Sequence, residues 1–275
     1  MSLTWYGKVG GTQGEKLAVD RERDLVVIGQ VLDPPGLHIF DTNGNLVHSI
    51  NLETAVPRIG KHCEDYRAGQ ERCGYAVSGF ALAGDGNIIV CGRHDRLYIV
   101  SYEGSYVGEV LLPSDDWQED IAVDRGGRIY ILYQNEGILI IGATEKPVHH
   151  ILNPQIYYCR RISVDLDGAM YITGQNTAGS PKWANSICKV FSNEGPIKEY
   201  SHLTNVFGIT VDNGGNVYSV EMSDGTLLKF TNELDLVDKF ALNLPNKTAT
   251  AIDVDAKNYC YVLTRGTVAK FELPI

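Results

Sequence analysis

The chain has 275 residues, 44% hydrophobic and 21% charged, with a formal net charge of −10. That is the balance of an ordinary globular protein with enough apolar surface for a sizeable core, and it argues against disorder. An acidic average surface repels phosphate backbones, so nucleic acid is a disfavoured partner, and no run approaches the ~18 apolar residues of a membrane span.

In chain order, one phrase recurs six times: LAVDRERDLVVI from Leu17, FALAGDGNIIVC from Phe80, IAVDRGGRIYIL from Ile121, ISVDLDGAMYIT from Ile162, ITVDNGGNVYSV from Ile209 and IDVDAKNYCYVL from Ile252. The starts are 63, 41, 41, 47 and 43 residues apart, close to the ~40–45 residues of a four-stranded propeller blade. Each phrase reads as strand, tight turn, strand, with Asp and Gly supplying the turn. A second pair of runs follows in each unit, as in GLHIFDTNGNLVHSI and TLLKFTNELDLVDKF, so each unit carries four strands. The sixth unit ends at TVAKFELPI with no run left for its fourth strand, and the N-terminal LTWYGKVGG is expected to replace it. Closure of that kind leaves no open sheet edge between the first and last blades. The expected fold is therefore all-β: a six-bladed β-propeller of four-stranded antiparallel blades, one domain over 1–275, with an insertion at 51–79 between blades one and two.

IAVDRGGRIYIL and ITVDNGGNVYSV, with LHIFDTNGNLV for the outer pair, resemble the NHL-repeat six-bladed propellers over essentially the whole chain. The acidic residue that commonly ends the second strand in that group is replaced by Gly29, Gly92, Tyr133, Gly174 and Thr264, and only Glu221 is acidic. The resemblance implies a platform for a protein or peptide ligand, of the kind that forms the terminal domain of a larger protein.

In such a fold the first strand of each blade lines the axis, and the second returns to the face where the first began. We call this the leading face, and the opposite one, where the tight turns lie, the turn face. Two long connections, 51–79 and 174–186, both open onto the leading face, and unequal loops are where function concentrates. The first mixes Arg58, Lys61, Arg67 and Arg72 with Glu53, Glu64, Asp65 and Glu71, and reads as a solvated flap. Repeat alignment stacks Gln30, Arg93, Gln134, Gln175, Met222 and Arg265 after the second strand, and Lys16, Asp120 and Arg161 before the first. The expected ligand-binding rim is Gln30, Arg93, Asp120, Gln134, Arg161, Gln175, Glu221 and Arg265, with Arg93, Arg161 and Arg265 able to grip a carboxylate or phosphate through bidentate guanidinium contacts.

The competing reading is a propeller enzyme of the lactonase or lyase type acting in the tunnel. A hard cation there would need converging oxygen donors; Glu119, Asp120, Asn135, Asn176 and Glu221 are available, but no spacing marks them. The seven histidines show no chelating pattern, and His149 and His150 alternate across a strand. No nucleophile elbow or phosphate-binding glycine loop is present; the glycines of DRGGR and DNGGN belong to the repeat turns. No catalytic residue, cofactor or metal is therefore assigned. Cys91, Cys188 and Cys260 fall in strands and read as buried thiols, whereas Cys63 and Cys73 could pair in an oxidising compartment. Cysteine usage leans towards the cytoplasm, and the propeller is expected to be monomeric.

Overall fold

The computed structural model describes residues 3–8, 14–30, 34–59, 77–92, 95–114, 117–133, 137–142, 147–151, 157–175, 186–191, 195–201, 203, 205–222, 224–244, 248–264 and 267–274. Its first strand is β1 (Leu3–Lys8). Blade one follows as β2 (Gly14–Asp20), β3 (Leu25–Gln30), β4 (Gly36–Asp41) and β5 (Leu46–Asn51), and then a single helical turn, α1 (Leu52–Ala55). Blade two is β6 (Gly79–Leu82), β7 (Asn87–Cys91), β8 (Arg96–Ser101) and β9 (Tyr106–Leu111). Blade three is β10 (Gln118–Val123), β11 (Ile129–Tyr133), β12 (Gly137–Ile141) and β13 (Pro147–Ile151). Blade four is β14 (Tyr157–Val164), β15 (Met170–Gln175), β16 (Ser186–Phe191) and β17 (Gly195–Tyr200). Blade five is β18 (Val206–Val211), β19 (Val217–Glu221), β20 (Thr226–Phe230) and β21 (Leu236–Ala241). Blade six is β22 (Ala249–Val254), β23 (Tyr259–Thr264) and β24 (Thr267–Glu272), completed by β1 in the order β1-β24-β23-β22.

The expected closure is present: β1 runs antiparallel to β24, with Tyr6 opposite Ala269 and Lys8 opposite Thr267. The first strand of each blade is the innermost, and the tight turn after it needs one residue with positive φ. Gly127 and Gly215 supply it at 77° and 80°, which is the role expected of the DRGGR and DNGGN glycines. In blades one and six, Asp24 and Asn258 take the same left-handed conformation.

Alternating apolar residues on both faces of each sheet meet the neighbouring blade, because a sheet flanked on both sides must be apolar on both. The core accordingly divides into six clusters, one per blade boundary. Phe80, Ile88 and Val90 meet Leu37 and Ile39 between blades one and two. Tyr261 and Leu263 meet Leu17 and Ile28 between blades six and one. Of the 51–79 connection expected as a solvated flap, residues 60–76 lie outside the described residues, and the flanks on either side are tied to the ring. Leu52, Val56, Ile59 and Val77 are at most 1% exposed and join the core between blades one and two. Apolar residues spaced through a mostly polar segment anchor its two ends to the ring. Cys91, Cys159, Cys188 and Cys260 are buried free thiols; Cys63 and Cys73 lie outside the described residues. No helix is long and apolar enough to cross a membrane among the described residues.

Candidate functional site

The inner strands of all six blades surround an axial cavity of about 210 Å³. Their axis-facing backbone groups lack a ladder partner, and buried polar groups of this kind must find side chains or water. Much of that demand is met by charged side chains that reach from one blade to another. At the leading end, a bulge in β2 before Lys16 and another in β10 before Asp120 re-aim these residues towards the axis. Lys16 of blade one bonds the Asp120 carboxylate and the Ile121 carbonyl (2.8 Å) of blade three, spanning blade two. Asp120 is 1% exposed and also accepts from the Ile162 amide of blade four at 3.0 Å. A Cβ on Gly79 would lie 2.8 Å from Asp120 Oδ1, so blade two yields the space this carboxylate occupies.

At the turn end, Arg21 of blade one spreads over blades five and six. It donates to the Val254 carbonyl (2.9 Å), the Val211 carbonyl (2.8 Å) and Asn213 Oδ1 (2.8 Å). Asp253 accepts from the Val19 amide (2.7 Å), its neighbour Val254 (2.8 Å) and Thr210 Oγ1 (2.6 Å), with Arg21 Nη2 3.6 Å away. Both ends of the axis are thus tied by a cation from blade one.

The expected rim residues separate into three groups. Asp120 and Arg161 are inside the ring: Arg161 is 7% exposed, donates to the Arg160 carbonyl at 2.9 Å and stacks over Phe207 at 5.2 Å. Gln30, 6% exposed, lies at the end of β3, 3.1 Å from His38 Nε2, and burial holds the His38 imidazole below its usual range. Glu221 ends β19 half-buried and Gln175 ends β15. Arg93, Gln134 and Arg265 lie outside the described residues. Glu119, another candidate oxygen donor, is buried with Arg160 3.7 Å away. Among the described residues, no three His, Cys, Asp or Glu side chains converge as a metal site would require.

The turn face holds a feature that loop lengths did not signal. The carboxylate ending the inner strand accepts a tyrosine hydroxyl at Asp124–Tyr130 (3.0 Å), Asp165–Tyr171 (3.1 Å), Asp212–Tyr218 (3.1 Å) and Asp255–Tyr261 (3.0 Å). In blade one Val27 occupies the tyrosine position, opposite Ala18 as Tyr130 is opposite Ala122, and Tyr102 of blade two supplies the hydroxyl to Asp20 at 2.6 Å. Burial pushes the Tyr130 phenol up to about 12, and the adjacent Asp124 adds to that shift. Burial alone would raise Asp20, yet the Tyr102 hydroxyl and the Arg23 guanidinium hold it below the ordinary carboxylate range. Blade two has neither partner: Ala83 stands at the aspartate position and Ile89 at the tyrosine position. A cavity of about 930 Å³ opens on this face; its lining runs round the axis from Asp20 of blade one to Val164 of blade four, Asn213 of blade five and Ala256 of blade six, and it includes Ile89, Ile99 and Val110 of blade two and Val123 and Ile129 of blade three. The signal was in the repeat: Asp followed by Tyr six residues on in four copies, and by neither in the second.

No protein-family profile and no curated protein matches the sequence. Solved structures do. Virginiamycin B lyase from Staphylococcus aureus is 16% identical with a TM-score of 0.62, the likeness covering 98% of this chain and 88% of that one. A streptogramin B lyase is 16% identical with a TM-score of 0.63 over the same shares. The WD40 β-propeller domain of Doa1 is 14% identical with a TM-score of 0.64, covering 94% of this chain and 78% of that one. At such identities the likeness concerns architecture, and it agrees with the blades described above: the chain folds as a six-bladed β-propeller.

Proposed function

We propose that this propeller is a binding module, an NHL-like platform holding a protein or peptide ligand on its leading face. The observation carrying this reading is the use of the axis. Lys16, Asp120, Arg21 and Asp253 are each bonded across to other blades, so the charged groups nearest the axis act as ties of the ring. Recognition then falls to the rim, where the long connections 51–79 and 174–186 emerge and where repeat alignment gathers Arg93, Arg265 and the glutamines. A propeller also has the architecture of the WD40 domain, although the same scaffold carries the lyases, and fold by itself decides neither.

The test is a peptide-display selection on the immobilised chain, followed by affinity measurement. Enriched peptides carry a carboxylate or phosphate, and Arg93→Glu with Arg265→Glu weakens them at least about tenfold, since each charge-assisted hydrogen bond contributes roughly 1.5–3 kcal/mol. Arg125→Glu, on the turn face, leaves their affinity unchanged. Equal loss in both variants, or no enriched anion, overturns the reading.

A further inference from the structure

Among the described residues, a tyrosine hydroxyl meets the turn aspartate at five of the six blade positions, and the sixth position, at Ala83 and Ile89, belongs to the lining of the 930 Å³ cavity. The ring that would stand at the Ile89 position has its counterparts in Tyr130, Tyr171, Tyr218 and Tyr261, each packed in the core at a blade boundary. Tyr171 shows how such a ring sits: it belongs to blade four, and its hydroxyl also donates to the Asn232 carbonyl of blade five at 2.9 Å. The part of the cavity bounded by blades two and three is therefore where the protein's own ring is missing, with isoleucine and valine from both blades in its lining.

We propose that this vacated slot is a binding site for a small aromatic amine. One ring inserts between Ile89, Ile99 and Val110 on one side and Val123 and Ile129 on the other, and its cationic group remains at the mouth. The mouth selects the charge. Five carboxylates line it, of which Asp20 is paired with Arg23 and Asp124 with Arg128 at 2.6 Å, leaving Glu22, Asp85 and Asp165. Of its three arginines, Arg23 is spent on Asp20 at 2.9 Å and Arg21 on the axis, leaving Arg125 at the exposed lip. An apolar slot with a few polar groups at its opening, in a cavity of several hundred Å³, is the common form of a small-molecule site. A cation gains from the surplus of carboxylates, and an anion of the same shape is repelled.

The site is tested on the full chain with three probes of one ring size: tyramine, p-cresol and 4-hydroxyphenylacetate, followed by ligand-observed NMR and calorimetry. Tyramine binds best, p-cresol at least about threefold more weakly, and 4-hydroxyphenylacetate least. Ala83→Asp with Ile89→Tyr rebuilds the pair found in blades three to six, fills the slot and abolishes tyramine binding while the circular dichroism stays native. Val110→Phe fills the same slot from the outer strand of blade two and gives the same loss if the double variant does not fold. Arg125→Glu strengthens tyramine, and Arg93→Glu with Arg265→Glu leaves it unchanged, so this site and the leading-face reading stand or fall separately. Binding retained in a folded, filled variant overturns the proposal, as does no binding by any probe or equal affinity for all three.

Discussion

Blades three to five and the sector where blades six, one and two meet solve the same closure problem with different bonds. In blades three to five the turn aspartate takes its hydroxyl from the same blade, six residues away in sequence. In the sector around blade one, ties run over most of the chain. Val19 bonds Asp253, Arg21 bonds Val254 and Val211, Lys257 bonds Asp24, and Lys270 reaches the Thr42 carbonyl. A repeat can supply local bonds by copying itself, but at the boundary between blades six and one the strands β22, β23 and β24 must be brought from the far end of the chain to meet β1 and β2. Long-range contacts must then offset a larger loss of chain entropy at that boundary. The aspartate–tyrosine pair is regular in blades three to six and altered in blades one and two, so the departures lie on the N-terminal side of the seam.

The comparison breaks most visibly if the seam is removed. Deleting residues 1–10 takes β1 from β24, leaves the edge of blade six unpaired and frees the last blade from the first. Thermal denaturation should show a melting temperature lower by more than about 10 °C, or no folded protein. An unchanged melting temperature would refute closure by β1.

A smaller effect separates the two kinds of tie. Asp253→Ala removes the acceptor shared by the Val19 amide and the Thr210 hydroxyl, and leaves Arg21 without its carboxylate. Unsatisfied part-buried donors cost about 2–3 kcal/mol in total, which corresponds to a fall of roughly 5 °C. Lys257→Ala, which breaks a solvent-exposed pair with Asp24 across the same seam, should leave the melting curve unchanged. Equal effects from the two variants would mean that the axial ties contribute no more than surface charge.

The sequence made the ring readable and the partners unreadable, for physical reasons. Hairpin periodicity and turn chemistry are local, so six copies of one phrase were enough to place each inner strand, and the missing fourth run of blade six pointed to the N-terminus. Lys16, Asp120 and Arg161 also stood out as one column, because they follow directly from the alignment. That Lys16 crosses blade two to reach Asp120 depends on the curvature of the ring and on the space left by Gly79, neither of which a linear motif encodes. Loop length points to the leading face, whereas the feature of blade two on the turn face lies in two smaller side chains, at Ala83 and Ile89, with no change in loop length to mark it. Tyr102 shows the converse: a hydroxyl restored from the outer hairpin of the next blade, at a position the repeat phrase does not include.

The finest test of the comparison is alkaline titration, because the tyrosines of both sectors share one chemistry. Tyr102, Tyr130, Tyr171, Tyr218 and Tyr261 are each raised from the ordinary value of 10.0, first by burial and then by the aspartate that accepts their hydroxyl. A group whose folded pKa exceeds its unfolded one stabilises the fold fully below the unfolded value, and that contribution is lost as pH rises through the folded value. Stability should therefore hold up to about pH 10 and decline above it, as the unfolded chain gains from ionising phenols that the fold keeps neutral. Phenolate absorbance should rise in two stages: the accessible tyrosines near pH 10, and these five only with the loss of native circular dichroism. Tyr102→Phe and Tyr218→Phe should each remove one phenol from the second stage, by equal amounts, if the hydroxyl borrowed from blade two is held as the repeat holds its own. A single stage centred at pH 10 with native dichroism throughout would show that the phenols are not held neutral by the fold. A smaller second-stage change for Tyr102→Phe than for Tyr218→Phe would show that the borrowed tyrosine is a looser copy of the repeated pair.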